Sequence, residues 1–206
     1  MTDKIVIHAE RLTKQFGNFT ATDHITFEVR EGEIFGFLGA NGAGKTTAMR
    51  MLCGLSQPSD GWATVAGYDV ATQHEQVKRN IGYMSQKFSL YDDLTVEENF
   101  TLFGGIYCMS KKKIKEKTTR LLEELDFSSE RKTLVKSLPL GWKQKLAFSL
   151  AIFHDPKIVF LDEPTGGVDP VTRRQFWELI YRAADRNITV FVTTHYMDEA
   201  EYCDRI

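Results

Sequence analysis

The stretch with the clearest chemical meaning, residues 39–46, fits the pattern G-x-x-x-x-G-K-[ST]. Its glycines let the backbone wrap closely around a phosphate, so that several N–H groups can point at one anion. Lys45 is placed to reach the outer phosphates of a nucleotide, and the Thr46 hydroxyl is a suitable ligand for Mg²⁺. The pattern predicts that nucleotide phosphates bind to Gly39, Ala40, Asn41, Gly42, Ala43, Gly44, Lys45, Thr46 and Thr47.

Two carboxylates, Asp162 and Glu163, follow the apolar run 158–161. A buried strand would hold both at its carboxyl end, which is where open α/β sheets bind their ligands. We expect Asp162 to hold Mg²⁺ and Glu163 to polarise the water molecule that attacks the γ-phosphate. An acidic strand end that caps the turn before Pro164 would look the same in isolation, but the glycine-rich loop in the same chain favours the catalytic interpretation.

Three polar residues continue this series along the chain. Gln86 ends a predicted strand, Asp169 lies in the segment TGGVDP, and His195 ends another predicted strand. Each of them alone would more often be a structural or solvated residue. In this order after the glycine-rich loop, they resemble the ATP-binding subunits of ABC transporters, and the resemblance covers residues 16–206.

The resemblance implies a role for each matching position. Gln86 would sense Mg²⁺ and face a membrane subunit, Asp169 would belong to the D-loop, and His195 would lie near the γ-phosphate. Phe16 matches the aromatic residue that stacks on adenine. The implied catalytic residues are Lys45, Glu163 and His195. The implied Mg²⁺ ligands are Thr46, Gln86 and Asp162. ATP binding would add to the glycine-rich loop Phe16, Gln86, Leu140, Gly141 and Asp169.

One segment departs from the family pattern, which at this point is usually Leu-Ser-Gly-Gly-Gln at the start of a helix. The matching residues here are Leu138, Pro139, Leu140, Gly141 and Trp142, and only the first and the fourth of them agree. The serine hydroxyl is absent, and Pro139 also lacks an N–H. A helix start with the amides of Leu140 and Gly141 remains to face the phosphate bound by an opposing subunit. The segment is either a tolerated variant or a weakened half of a composite site.

Patterns of apolar residues predict the elements that position these groups. The short apolar runs 34–38, 158–161 and 189–192 are typical of parallel strands that are covered on both faces. Thr95 and Glu98 fit a capping box, and Ser110 is a candidate cap for a second helix. The predicted helices include residues 46–52, 96–107, 140–153 and 176–184.

The patterns and the resemblance together predict an α/β protein with a P-loop NTPase core that is RecA-like and has a mainly parallel sheet. An antiparallel β subdomain at the N-terminus and an inserted α-helical subdomain are expected. Residues 1–86 and 138–206 would form the core with the β subdomain, and residues 87–137 the helical subdomain, in one ABC ATPase domain over residues 1–206. We expect this domain to be truncated at its C-terminus, because the family usually continues with more strand and helix.

Composition restricts the partners. The 206 residues include 26 Lys and Arg and 28 Asp and Glu, and this net charge of −2 disfavours binding to nucleic acid. The cysteines at positions 53, 108 and 203 lie far apart, which disfavours a zinc site. No window approaches the roughly 20 apolar residues of a membrane helix, so a role at a membrane would need another chain or a further segment. The basic run 111–120 is interpreted as a solvated helix face, with contact to anionic lipid headgroups or nucleic acid as alternatives.

The resemblance implies an ATP-hydrolysing subunit that powers an ABC transporter with ATP and Mg²⁺. Two such domains, as a homodimer or heterodimer, would clamp two ATP molecules head to tail and drive a separate membrane-spanning subunit from the cytoplasmic face of the membrane. The stretches EPTGGVDP and TTHYMDEAE resemble bacterial multidrug exporters, which favours export of drugs or other hydrophobic compounds. The alternative is a soluble ABC ATPase that acts on ribosomes or DNA. A GTPase or small-molecule kinase is disfavoured, because the chain has no Asn-Lys-x-Asp stretch.

Overall fold

The computed structural model describes residues 4–87 and 90–206, and its contacts divide the chain into two compact units. The first unit comprises residues 1–86, 156–164 and 180–206. The second unit comprises residues 87–155 and 165–179. The strands are β1 (Ile5–Phe16), β2 (Phe19–Arg30), β3 (Ile34–Leu38), β4 (Asp60–Val65), β5 (Tyr68–Asp69), β6 (Ile81–Met84), β7 (Ile158–Asp162) and β8 (Thr189–Thr194). The α-helices are α1 (Lys45–Leu52), α2 (His74–Asn80), α3 (Val96–Ile106), α4 (Lys111–Glu124), α5 (Leu140–Ala151) and α6 (Pro170–Asp185).

All of these strands lie in the first unit, where they form two sheets. One sheet is antiparallel with the strand order β2-β1-β4-β5, and the other is parallel with the order β3-β8-β7-β6. The parallel strands β7 and β8 are completely buried, as their uninterrupted apolar runs predicted. The predicted α/β core with a parallel sheet and the predicted antiparallel β subdomain are therefore confirmed.

Phe191 of β8 joins the two sheets through a cluster of aromatic rings. Its ring centroid lies 5.3 Å from that of Phe160, 5.5 Å from those of Phe35 and Phe37, and 6.0 Å from that of Phe27 in β2. Aromatic pairs at these distances contribute about 0.5 to 1.5 kcal/mol each beyond their burial. The cluster therefore stiffens the parallel sheet, and the predicted chemical residues lie at the strand ends of that sheet.

The second unit contains α3, α4, α5 and the first part of α6. The capping box between Thr95 and Glu98 is present, and the Ser110 hydroxyl accepts a hydrogen bond from the amide of Lys113, so both predicted helix starts are confirmed. Sequence reasoning ended the helical subdomain at residue 137. In the structure, residues 138–155 pack with it, because they supply part of one apolar cluster: Val96, Phe100, Ile114, Leu121, Leu122, Phe127, Val135, Leu138, Leu146, Leu150 and Phe153.

The basic run on α4 is largely paired within the second unit. Lys117 is nearly buried and donates hydrogen bonds to the carbonyl of Phe153 (2.6 Å) and the carboxylate of Asp155 (2.5 Å). Lys113 also lies 3.5 Å from Asp155. Two further cations, Lys112 and Arg120, pair with glutamates one helical turn later, Glu116 and Glu124. In residues 4–87 and 90–206, no helix combines the length and the apolar character that a membrane crossing requires.

Two helix boundaries differ by more than one residue from those predicted. The helix predicted at 176–184 begins six residues earlier at Pro170, because Asp169 accepts hydrogen bonds from the amides of Val171 (3.0 Å) and Thr172 (3.1 Å) and thereby caps the helix. Helix α5 ends at Ala151 instead of residue 153. Its start at Leu140 agrees with the prediction, and Pro139 is its N-cap.

Candidate nucleotide-binding site

The loop between β3 and α1 has the backbone shape that its glycines predicted. Gly42 and Gly44 have φ values of +82° and +84°, which L side chains rarely adopt. A Cβ atom at Gly44 would also lie 2.0 Å from the carbonyl oxygen of Ala21, so only glycine fits there. Lys45 begins α1, and its ammonium group donates hydrogen bonds to the carbonyl of Gly39 at 2.8 Å. The lysine side chain therefore folds back onto the first residue of the loop.

An open cleft of about 310 Å³ lies over this loop. Its lining combines residues of the loop and of the start of α1 with two residues of β2 and two polar residues that follow β6 and β7. The lining residues are Phe19, Ala21, Asn41, Gly42, Gly44, Lys45, Thr46, Thr47, Gln86 and Glu163. The volume is at the lower end of that of small-molecule sites.

Asp162, at the end of β7, is buried and joins two threonine hydroxyls. Its Oδ1 accepts hydrogen bonds from Thr46 Oγ1 (3.1 Å) and Thr193 Oγ1 (2.8 Å). Thr193 also accepts from the amide of Glu163 through both its carbonyl oxygen and its hydroxyl, each at 3.1 Å. Sequence reasoning missed Thr193. Its signal was a polar residue directly after the apolar run 189–192 of β8, and this residue pairs with Asp162.

Glu163 lies at the centre of the polar cluster. Its Oε1 is 3.3 Å from Lys45 Nζ, and its Oε2 accepts a hydrogen bond from Gln86 Nε2 at 3.1 Å. His195 Nδ1 is 3.2 Å from the same Oε2, at a distance that allows an ion pair but without the alignment of a hydrogen bond. The backbone of Glu163 has φ +47°, a left-handed conformation that costs a non-glycine residue about 1 to 3 kcal/mol. Such strain is typical of a functional position.

Sheet topology explains why residues so distant in sequence meet. The parallel strands β3, β6, β7 and β8 all end at the same edge of the sheet. The glycine-rich loop, Gln86, Glu163 and His195 follow those four strands in that order. Ligands of open α/β sheets bind at this edge.

Asp162 also affects the groups around it. Burial, followed by the charge of Asp162, raises the pKa of Tyr83 to about 12. The same two causes raise the pKa of Cys53 well above its ordinary value. Both side chains are therefore neutral at pH 7, and Asp162 and Glu163 supply the acidic groups at this strand end.

The site has the ligand chemistry that a nucleotide with Mg²⁺ requires. Mg²⁺ prefers oxygen ligands and usually binds one or two protein groups together with substrate phosphates. Thr46 and Asp162 offer such oxygens within 3.1 Å of each other. In the described part of the chain, no group of three or more His, Cys, Asp or Glu is arranged to hold a metal ion by itself. The arrangement fits an ion that binds jointly with phosphates.

The aromatic residue predicted for the base does not line the cleft. Phe16 is 56% exposed, and the ammonium group of Lys14 lies 5.3 Å from its ring centroid. Its partner across the β1–β2 hairpin, Phe19, does line the cleft and is 64% exposed. Phe19 was missed because its side-chain direction depends on the register of the hairpin.

The remaining predicted residues, Leu140, Gly141 and Asp169, belong to the second unit. Leu140 and Gly141 are the first two residues of α5, so their amides have no acceptor within the helix. Leu140 is exposed. The Trp142 ring stacks on the ring of Phe127, with centroids 4.2 Å apart. Both residues belong to the second unit, so one face of the Trp142 ring packs within that unit.

Comparison with known proteins agrees with this geometry. The family model described as ABC transporter matches residues 22–166. The probable multidrug ABC transporter ATP-binding protein YbhF of Escherichia coli (strain K12) is 51% identical over 201 residues, which are 98% of this chain and 35% of that protein. This chain therefore spans about a third of the length of that curated relative.

Two further matches cover more of the matched protein. The Nod factor export ATP-binding protein I of Rhizobium sp. (strain N33) is 39% identical over 204 residues, with 98% of this chain and 67% of that protein covered. A solved structure described as the ATP binding subunit of an ABC transporter superposes with a TM-score of 0.85 at 27% identity, over 97% of this chain and 83% of the other. This chain belongs to the ABC transporter family, and it is an ATP-binding domain of that family.

Proposed function

We propose that this chain binds ATP with Mg²⁺ in the cleft over residues 39–47 and hydrolyses it to power a transporter. The observation that carries the proposal is the position of Glu163, whose carboxylate meets Lys45, Gln86 and His195 beside the glycine-rich loop. A general base has to lie beside the group that binds the phosphate, and Glu163 meets this requirement.

The proposed chemistry assigns one task to each side chain. The amides of residues 39–47 and the ammonium of Lys45 hold the phosphates, and Mg²⁺, held by Thr46, Asp162 and Gln86, would supply charge neutralisation. Glu163 takes a proton from water as the water oxygen bonds to the γ-phosphorus, and the bond between that phosphorus and ADP breaks. His195 holds the γ-phosphate from the end of β8, and Phe16 or Phe19 stacks on the adenine ring.

The proposed assembly contains a second ATP-binding domain and a separate membrane-spanning subunit. The amides of Leu140 and Gly141, together with Asp169, would face the ATP bound by the opposing domain. Attachment to the membrane subunit would place the chain at the cytoplasmic face of the membrane. Both relatives reported above are named for multidrug transport or export, which supports export as the direction. They give no support to a ribosome-acting or DNA-acting ATPase.

Phosphate release from MgATP by the purified chain tests the enzymatic part of the proposal. We expect saturable hydrolysis that requires Mg²⁺ and is lost in Lys45→Ala. A folded chain that neither binds nor hydrolyses MgATP would overturn it. Co-purification with a membrane-spanning chain, in detergent, tests the proposed partner.

A further inference from the structure

The first residue of interest is Gly141, in the second unit. A Cβ atom at this position would lie 2.7 Å from Cγ2 of Thr172, near the start of α6. That distance is much shorter than any ordinary contact between carbon atoms. Thr172 Oγ1 and Cβ would be 3.6 and 3.8 Å away, which are ordinary contacts. The methyl group of Thr172 is therefore the atom that a Cβ at position 141 would displace.

The other branch of Thr172 holds Asp169. Thr172 Oγ1 donates a 2.6 Å hydrogen bond to Asp169 Oδ2, while Asp169 Oδ1 accepts from the amides of Val171 and Thr172. The Thr172 hydroxyl is the main cause that lowers the pKa of Asp169 from its ordinary value, although the carboxylate is exposed. Thr172 thus donates two of these three hydrogen bonds that orient the carboxylate, and Val171 donates the third.

Two further contacts join α5 to residues 166–172. Gln144 of α5 is buried, and its Nε2 donates to the carbonyl oxygen of Gly166 at 3.3 Å. Leu140 Cδ2 would lie 3.8 Å from a Cβ atom at Gly167. Thr172 belongs to the same set of contacts, because it lies against Gly141 and donates a hydrogen bond to Asp169.

We propose that Thr172 is a positioning residue that couples the start of α5 to the Asp169 carboxylate. Its methyl group packs against Gly141, and its hydroxyl orients Asp169, so the two segments keep one fixed mutual position. The inference rests on the proposed function, in which both segments face the ATP of an opposing domain. It also explains why residue 141 is glycine without requiring that a phosphate approach its Cα atom.

A second-site rescue tests the inference, with kcat for MgATP hydrolysis by the full chain as the main readout. Gly141→Ala should lower kcat by about 5- to 150-fold, which is the fold-change that corresponds to the usual free-energy cost of overpacking when that cost falls on the active conformation. Adding Thr172→Ser removes the methyl group, keeps the hydroxyl on Asp169, and should restore most of the loss. Adding Thr172→Val keeps a methyl group in place and should restore nothing.

Thr172→Val alone tests the hydroxyl. It should lower kcat about tenfold or more, because Asp169 loses a hydrogen bond to a charged group, while KM for ATP stays unchanged. Thr172→Ser alone should retain more activity than Thr172→Val. Circular dichroism of each variant is the control that checks whether the fold is intact.

The outcomes separate the inference from the proposed function. If the wild-type chain neither binds nor hydrolyses MgATP, the proposed function fails and the inference fails with it. If the wild-type chain is active but Gly141→Ala has no effect, or if serine and valine at position 172 rescue equally or not at all, the inference alone is overturned. In the case of no rescue, glycine at position 141 would serve the approach of a phosphate.

Discussion

The ammonium group of Lys45 lies 3.3 Å from the carboxylate of Glu163, and the two side chains are only 5% and 12% exposed. Removal of one partner leaves the other charge largely shielded from water and unpaired, which destabilises the folded state. Glu163 also has Gln86 and His195 as neighbours. Lys45 also donates hydrogen bonds to the carbonyl oxygens of Gly39 (2.8 Å) and Ala40 (3.0 Å). Nucleotide phosphates would compete with Glu163 for Lys45, so binding of ATP would free the proposed base.

Lys45→Ala should weaken the binding of MgATP. One charge-assisted contact is worth about 1.5 to 3 kcal/mol, or roughly 10- to 150-fold in affinity. Isothermal titration calorimetry measures this loss. Lys78→Ala is the matched control, because Lys78 is an exposed lysine that pairs with Glu75 on the surface. Equal affinity of Lys45→Ala and wild type would refute the assignment of the phosphate site.

Glu163→Gln should separate binding from hydrolysis. The change keeps the shape of the side chain and removes its basicity, which typically costs about 10² to 10⁴ in rate. MgATP should still bind, since the glycine-rich loop and Lys45 are intact. Glu75→Gln makes the same chemical change at an exposed surface pair and serves as the control. Hydrolysis by Glu163→Gln at the wild-type rate would rule out Glu163 as the base.

Thr193→Val should disturb Asp162 and Glu163 together. The buried Asp162 carboxylate would lose a donor, which costs about 1 to 3 kcal/mol in the free energy of unfolding. Loss of a group that orients a metal ligand typically raises the required metal concentration about 10- to 100-fold, and Mg²⁺ titrations of the hydrolysis rate measure this. Thr189→Val is the control, because Thr189 is equally buried in β8 but accepts from the amide of Gly32. An identical Mg²⁺ requirement in both variants would contradict the role given to Thr193.

The unusual segment at residues 138–142 predicts a weak dimer. Pro139→Ser with Leu140→Gly restores one hydroxyl and one backbone donor. Each donor is worth about 1.5 to 3 kcal/mol against a phosphate. Analytical ultracentrifugation with MgATP, in a Glu163→Gln background, should show a tighter dimer and unchanged ATP affinity of the monomer. Pro139→Ala with Leu140→Gly restores the amide alone and should tighten the dimer less. An unchanged or looser dimer would identify the segment as an adapted variant.

The ion pair of Glu97 and Arg131 predicts a pH dependence of stability. A hydrogen bond from Arg131, 2.6 Å long, is the main cause that lowers the pKa of Glu97, with burial opposing it. The pair therefore stabilises the fold above the unfolded pKa of about 4.3, and this contribution is lost as the pH falls towards the lower folded value. Because Glu97 is 39% exposed, the effect at pH 7 should be at most about 1 kcal/mol.

Urea unfolding of wild type and Glu97→Gln at pH 7 and pH 3 measures this effect. The difference in free energy of unfolding should be larger at pH 7 than at pH 3. Glu116→Gln, which removes an exposed partner 3.9 Å from Lys112, should show a smaller difference. A difference at pH 3 as large as that at pH 7 would show that Glu97 acts through something other than its charge.

Several features could be predicted because their physical cause is local in the chain. The backbone at Gly42 and Gly44 needs positive φ, and glycine is the residue that adopts it without strain. The capping box at Thr95 and Glu98 spans four residues. The buried parallel strands followed from uninterrupted apolar runs.

Other predictions depended on an order of motifs and not on local physics. Gln86 and His195 became candidates only through their place in a series that resembles a known family. The tertiary structure brings both to the same carboxylate oxygen of Glu163, because their strands are neighbours of β7 in one parallel sheet. Their proposed roles in hydrolysis stay predictions.

The amino-acid sequence by itself determined the phosphate-binding loop and the strands that lead to the candidate site residues. The order of those residues also suggested the ABC transporter family. Only the tertiary structure decided which side chains share a site. Thr193 meets Asp162 because β7 and β8 pair in register, and Phe19 lines the cleft because of the β1–β2 hairpin. Gly141 meets Thr172 because two helices distant in sequence begin side by side. Such contacts depend on strand register and helix packing between segments that are far apart in the chain. A local pattern of residues therefore cannot predict them.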